Sequence, residues 1–251
     1  TGGFISDYSD SGTIYRAHIF TSSGTFNITA GGDYDPAGIE YLVVGGGGAG
    51  GDGSGNNGTG GGGAGGLRTN LSGHPLSGGA YPIPGSFPAP YTVTIGAGGV
   101  STPTDGQQGN NTEFYPPSHN SYPAAQFIRG AGGGGGGNGT ATAGLAGGGS
   151  GGGKSAQAHP GGSNAVGAAD PNHPETAGYA GGSGHGIPSF GGGGGGGAGG
   201  VGGDGQPGPA PDTNAGEGGA GIQVLIAGSP TNPQPVGGAG PGSGAAATGW
   251  F

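Results

Sequence analysis

The chain is 251 residues long and holds 78 glycines and 21 prolines, while only 29% of it is apolar even with alanine counted. Branched and aromatic side chains are therefore too few to pack an ordinary globular core, since glycine and alanine bury little apolar surface. Four basic residues against 13 acidic ones give a net charge of −9, and the cations Arg16, Arg68, Arg129 and Lys154 are scattered, which excludes the clustered basic surface of a nucleic-acid binder.

Cysteine and methionine are both absent, so there is no disulfide framework, thiolate metal site or redox centre. No run approaches the roughly 18–20 apolar residues of a membrane-spanning helix, and no membrane insertion is expected. The chain opens on Thr1 with no basic-then-apolar leader, which reads as a processed chain or one lacking its start.

In chain order, residues 13–20 alternate as a half-buried strand, with Ile14 and Phe20 on one parity and Tyr15 and Ile19 on the other. Residues 21–24 read as a turn and 25–29 as a return strand, predicting a hairpin between the two. Residues 39–44 form the most strongly β-branched segment and run straight into glycine. From 45 to 66 the chain is mostly glycine. Further strands are predicted at 91–95, 126–129 and 222–226, and glycine-rich runs cover 130–153 and 191–205. No segment has a helical period.

A composition this rich in glycine and proline, without a collagen period, has disorder as its default. The recurring short strands argue for order, and order has to offset the large backbone entropy that glycine loses on folding. Three-fold extended helices of the polyproline-II type offer a solution: every backbone N–H and C=O points outward, available to neighbouring runs, provided no side chain holds the backbones apart. Ala198, Val201, Asp204 and Pro207 fall at every third position among glycines, the spacing that places side chains on one edge of such a helix. The fold class predicted is all-β and irregular: short β-strands plus bundled polyglycine-II helices, with essentially no α-helix. The division predicted is 1–44, a β-hairpin and strand region, and 45–251, a glycine-rich polyglycine-II lattice with interspersed strands and loops.

The chemistry-bearing motifs are weak. Residues 148–155 match the phosphate-loop pattern, but the residues before are no strand and those after are too short and too soon stopped by Pro160 to form a helix. Other dinucleotide-type and nucleophile-elbow matches follow from glycine density alone. His173, flanked by Pro171 and Pro174, reads as a surface loop, and Asp52 and Asp204 lack the spacing of calcium-binding repeats. Five Asn-x-Ser/Thr matches, at Asn27, Asn57, Asn70, Asn110 and Asn138, are explained by how common Asn and Thr are. Phe114, Tyr115, Tyr122 and Phe127 lie around Pro116 and Pro117, a cluster read either as packing beneath a loop or as a sugar- or receptor-binding platform. No catalytic, cofactor-binding or metal-binding residue is predicted, and no enzyme.

Residues 19–26, followed by 40–44 and a polyglycine run, resemble the glycine-rich proteins of marine bacteriophages and environmental sequence, as do 65–70, 91–99 and 220–226. The resemblance spans nearly the whole chain and implies a virion or tail-fibre component. In the related tip adhesins of T-even-like phages, polyglycine-II helices form a lattice whose intervening loops contact the host. Carried to this chain, the resemblance implies a non-enzymatic fibre protein, extracellular or on the virion surface, with Tyr115, His119, Tyr122, His173 and Tyr179 in its recognition loops. The expected partners are further copies of itself, as homo-oligomer or polymer, and a host cell-surface receptor or glycan, with no nucleic acid. The alternative expectation is a subunit of a self-assembling extracellular filament.

Overall fold

A computed structural model describes residues 1–10, 12–30, 38–53, 58–78, 81, 87–116, 127–138, 144, 153, 178–186, 190–206, 215–226 and 251. Among them the architecture is all-β, with eight short strands in antiparallel ladders and no α-helix. β1 (Phe4–Asp10) and β2 (Thr13–Ile19) form a two-stranded hairpin. β3 (Gly24–Ile28), β6 (Ala89–Thr94), β7 (Thr112–Tyr115) and β8 (Ile128–Gly130) form a four-stranded sheet in the order β3-β6-β7-β8, and β4 (Leu42–Val44) pairs with β5 (Leu67–Thr69).

The strand expected at 13–20 is present as β2, but its partner differs from the one expected. It pairs with β1, whereas the return strand β3 turns away and pairs with β6. The reason lies in β1, whose adjacent Phe4 and Ile5 and five following residues of Ser, Asp and Tyr hide the alternation that a partner for β2 supplies. The four-stranded sheet thus takes β3 from the stretch 1–44 and β6, β7 and β8 from the stretch 45–251. The ladder residues of the segment 39–44 are Leu42–Val44, with Ile39 in an isolated bridge to Tyr81. The segment 222–226 forms no ladder; Ile222 instead exchanges both backbone hydrogen bonds with Phe251, each 3.0 Å long.

Alternation in the four-stranded sheet sets its core. Phe26, Ile28, Ala89, Tyr91, Phe114 and Ile128 share one face, and Val43, Tyr81 and Tyr41 pack onto it. Tyr91 is 1% exposed and stacks on Phe114 with ring centroids 4.9 Å apart and planes 5° apart. Such pairs add about 0.5–1.5 kcal/mol beyond the area they bury.

The glycine runs begin where the strands end. Beyond the pair Val44–Leu67, which closes the β4–β5 ladder, the Gly45 N–H donates to Gly66 O at 2.9 Å, Gly48 to Gly63 at 2.8 Å and Gly51 to Gly60 at 3.0 Å. Each step of three along one run is a step of three back along the other, so no residue slips between ladder and glycine. The β6–β7 register continues in the same way into Asn110–Ala97 and Gln107–Val100, and the β7–β8 register into Gly109–Gly133 and Gly106–Gly136. What changes at the junction is the spacing of the bonds, to one every third residue.

A change of spacing leaves amides without a main-chain partner, and polar side chains take them. The Gly96 N–H donates to Thr112 Oγ1 at 3.0 Å and the Gly132 N–H to Asn111 Oδ1 at 3.0 Å. Deeper in the block, 60–66 also donates to 131–137 on a second side and to 193–196 on a third. Residues 132–138 and 191–198 are buried throughout. A methyl group on Gly48, Gly62, Gly133, Gly136 or Gly194 would overlap a carbonyl oxygen of a neighbouring run, so this interior is packed from backbone.

Candidate functional site

Two of the five residues expected in recognition loops, Tyr115 and Tyr179, are described; His119, Tyr122 and His173 lie outside the described residues. The described pair stand on separate elements.

Tyr115 ends β7, and the pleat places it with Glu113 on the face opposite the core, while Phe114 between them faces Tyr91. The expected aromatic platform is therefore divided: Phe114 belongs to the core, and Tyr115 and Phe127 remain together, ring centroids 4.8 Å apart. Glu113 joins two neighbours. Its Oε2 accepts the Tyr115 hydroxyl and its Oε1 accepts Arg129 Nε at 3.0 Å, while the Arg129 guanidinium lies 4.9 Å from the Phe127 ring centre. The Tyr115 hydroxyl is pushed up to about 12, first by burial, then by its hydrogen bond to Glu113 and the charge of that carboxylate, with Arg129 acting in the opposite direction. This cluster presents an aromatic pair beside a carboxylate and a guanidinium. Glu113 and Arg129 escaped the sequence reading because they meet only through the β7–β8 register, in which they are direct partners.

Tyr179 lies on the run 178–185. The Gly202 N–H donates to Ala180 O at 2.9 Å and the Gly205 N–H to Ser183 O at 2.8 Å. In that parallel register position 201 aligns with position 179, and Val201 and Tyr179 are each exposed, at 66% and 40%. Both project from stretches rich in glycine. The three-residue spacing signalled the exposed edge: Val201 and Asp204 are exposed while Gly202 and Gly205 are buried. Ala198, expected on the same edge, is 5% exposed, because the chain reverses between Gly197 and Gly200 and Ala198 falls at the end of the preceding run. Pro207 lies outside the described residues. Asp204 is in use locally, its Oδ1 accepting the Ser183 N–H at 2.6 Å.

Of the phosphate-loop match at 148–155 only Gly153 is described. Its N–H donates to Gly61 O at 2.7 Å and its carbonyl accepts from Gly137 at 3.0 Å, so both backbone groups serve the glycine block. Among the described residues no group of three acidic or histidine side chains converges as metal ligands, and no helix is long and apolar enough to cross a membrane.

The model of a family described as a glycine-rich domain matches residues 21–250. No curated protein matches the chain, and no solved structure matches it.

Proposed function

Because the chain belongs to the glycine-rich domain family, and its glycines pack backbone against backbone, we propose that it is a non-enzymatic structural fibre protein whose glycine block is a polyglycine-II lattice. The observation that carries this reading is the unbroken register from the β4–β5 and β7–β8 ladders into glycine runs, with hydrogen bonds at every third residue and 132–138 buried throughout. An interior made of paired peptide groups is a stiff scaffold and leaves its function to what projects from it. In this reading the fibre is a phage tail-fibre or adhesin component, extracellular or on the virion surface, and its recognition surface includes the Tyr115–Phe127 pair, Tyr179 and Val201. The aromatic faces suit a glycan or an apolar patch of a host receptor.

A second reading, a subunit of a self-assembling extracellular filament, draws its support from the N-terminal hairpin, which carries Phe4, Ile5, Ile14 and Tyr15 exposed at 72%, 45%, 80% and 39%. Negative-stain electron microscopy of the purified chain across a concentration series separates the two. Discrete short particles are expected of the tail-fibre component; uniform filaments that lengthen with concentration would replace it with the polymer.

A further inference from the structure

The β1–β2 hairpin is a different kind of element from the rest of the protein. Its two strands are seven residues each, about 23 Å long at the usual rise, and its sheet contains no third strand. A two-stranded ladder alone is marginally stable in water. Its apolar side chains stand on both faces: Phe4 pairs with Ile19 and Tyr8 stacks on Tyr15 on one, while Ile5 and Ile14 lie on the other with the Asp7–Arg16 ion pair.

Three other edge strands have a backbone neighbour. Thr1 exchanges backbone hydrogen bonds with Asn27 along β3, Thr69 of β5 bridges to Ser77, and at the end of β8 Gly130 lies against the backbones of Gly45 and Gly66. Among the described residues neither outer edge of the hairpin meets a further strand. Long exposed edges flanked by apolar side chains are what soluble β-proteins ordinarily avoid.

We propose that the hairpin is a self-association surface, on which the β1–β2 hairpin of a second copy pairs edge to edge to make a four-stranded sheet. This rests on the self-assembly expected of a fibre protein in the reading above. Strand addition is favoured over face docking because apolar residues on both faces gain cross-strand neighbours at once when a strand is added, whereas a partner on one face would leave the other wet. A second copy is favoured as the source because its hairpin has the same length and alternation and needs the same cover, giving an isologous contact. The exposed Asp7 carboxylate is already held by Arg16 through two hydrogen bonds, 2.7 and 2.8 Å, so the approaching edges meet a paired charge. Only one seven-residue strand of each copy enters the contact, little beside the roughly 1,200 Å² of a stable standard interface, so association is expected to be weak and concentration-dependent.

The test is sedimentation velocity of the full chain over a concentration series, beside the double variant Phe4→Lys, Ile14→Lys, whose side chains are exposed and leave the fold intact. The wild type is expected to associate, and the variant at least about threefold more weakly, since whichever strand forms the joining edge loses one apolar side chain in each copy, at a few tenths of a kcal/mol or more each. Hydrogen exchange at high and low concentration supplies the second readout: alternate amides along one hairpin strand gain protection on association. A wild type monomeric throughout overturns the proposal and leaves the scaffold reading standing. Undiminished association in the variant, or association without new protection in the hairpin, overturns it too and moves the contact elsewhere on the chain.

Discussion

Gly45 donates its N–H to the carbonyl of Gly66 one step beyond the pair Val44–Leu67, so the last residues of a β-ladder and the first of a glycine ladder share one register. That relationship recurs beyond the β7–β8 ladder, at Gly109–Gly133 and Gly106–Gly136, and it explains how so few apolar residues order so many glycines. The small aromatic core fixes the strands, the strands fix the register, and the register delivers each glycine run to its neighbours already aligned. Loop-closure entropy is offset once, at the core, instead of separately for every run.

Glycine is required at some positions of the block and not at others. A methyl group on Gly194 would overlap the Glu217 carbonyl oxygen, whereas one on Gly47 would come no nearer than 3.7 Å to Gly63 O. Gly194→Ala is expected to destabilise by about 1–3 kcal/mol or more, as overpacking does. Gly47→Ala is expected to be neutral or to stabilise by up to about 1 kcal/mol through the unfolded state. Denaturant unfolding of the two variants checks this, and equal midpoints would refute the packing described.

A sharper version uses adjacent residues. Val201 is 66% exposed and the neighbouring Gly202 is buried, with the Gly194 carbonyl where its methyl would go. Val201→Lys is expected to change stability by no more than about 0.5 kcal/mol, and Gly202→Ala to lower the thermal midpoint clearly. Differential scanning calorimetry reads both.

At the junction, Leu67 is fully buried. Leu67→Ala is expected to cost about 2–5 kcal/mol, and because β5 leads out of the run 60–66, the loss should spread into glycine. Loss of amide protection in 60–66 together with β5 is the expected signature; loss confined to the strand would mean that ladder and lattice are independent.

The Tyr115 hydroxyl is raised to about 12, with burial the largest cause and the Glu113 hydrogen bond the next. A raised folded-state value means that the stability it contributes is present below the ordinary tyrosine range, near 10, and is lost as pH climbs from there through 12. Alkaline titration followed by tyrosinate absorbance should show a late component that Tyr115→Phe removes and Glu113→Gln moves earlier. A late component unchanged in both variants would assign it to another tyrosine.

Much of the β-structure was legible because half-buried strands alternate: β2, β3 and β6 stand close to where the pattern of Ile, Phe, Tyr and Val places them. β5 and β7 were not, since three or four residues such as Leu67, Arg68 and Thr69 carry no period of their own and are strands only because Val43 and Val93 lie opposite. Pairing partners were less legible still, because β1 looks polar until Tyr8 is set against Tyr15. In the glycine runs composition reveals that backbones pack, but glycine carries no side chain to record which run meets which. The site residues suffered likewise: Tyr115 was visible as an aromatic, while Glu113 and Arg129 joined it only through the β7–β8 register.

The central claim is that the glycine runs are a hydrogen-bonded interior and not a disordered filler, and residue-resolved amide hydrogen exchange on the intact chain tests it most directly. The account predicts strong protection at the donors Gly48, Gly51, Gly63, Gly133, Gly136 and Gly194, comparable with that of Tyr91 and Val93 in the central strand β6. Exchange at those glycines as fast as in an unfolded peptide, with the strands still protected, would contradict it.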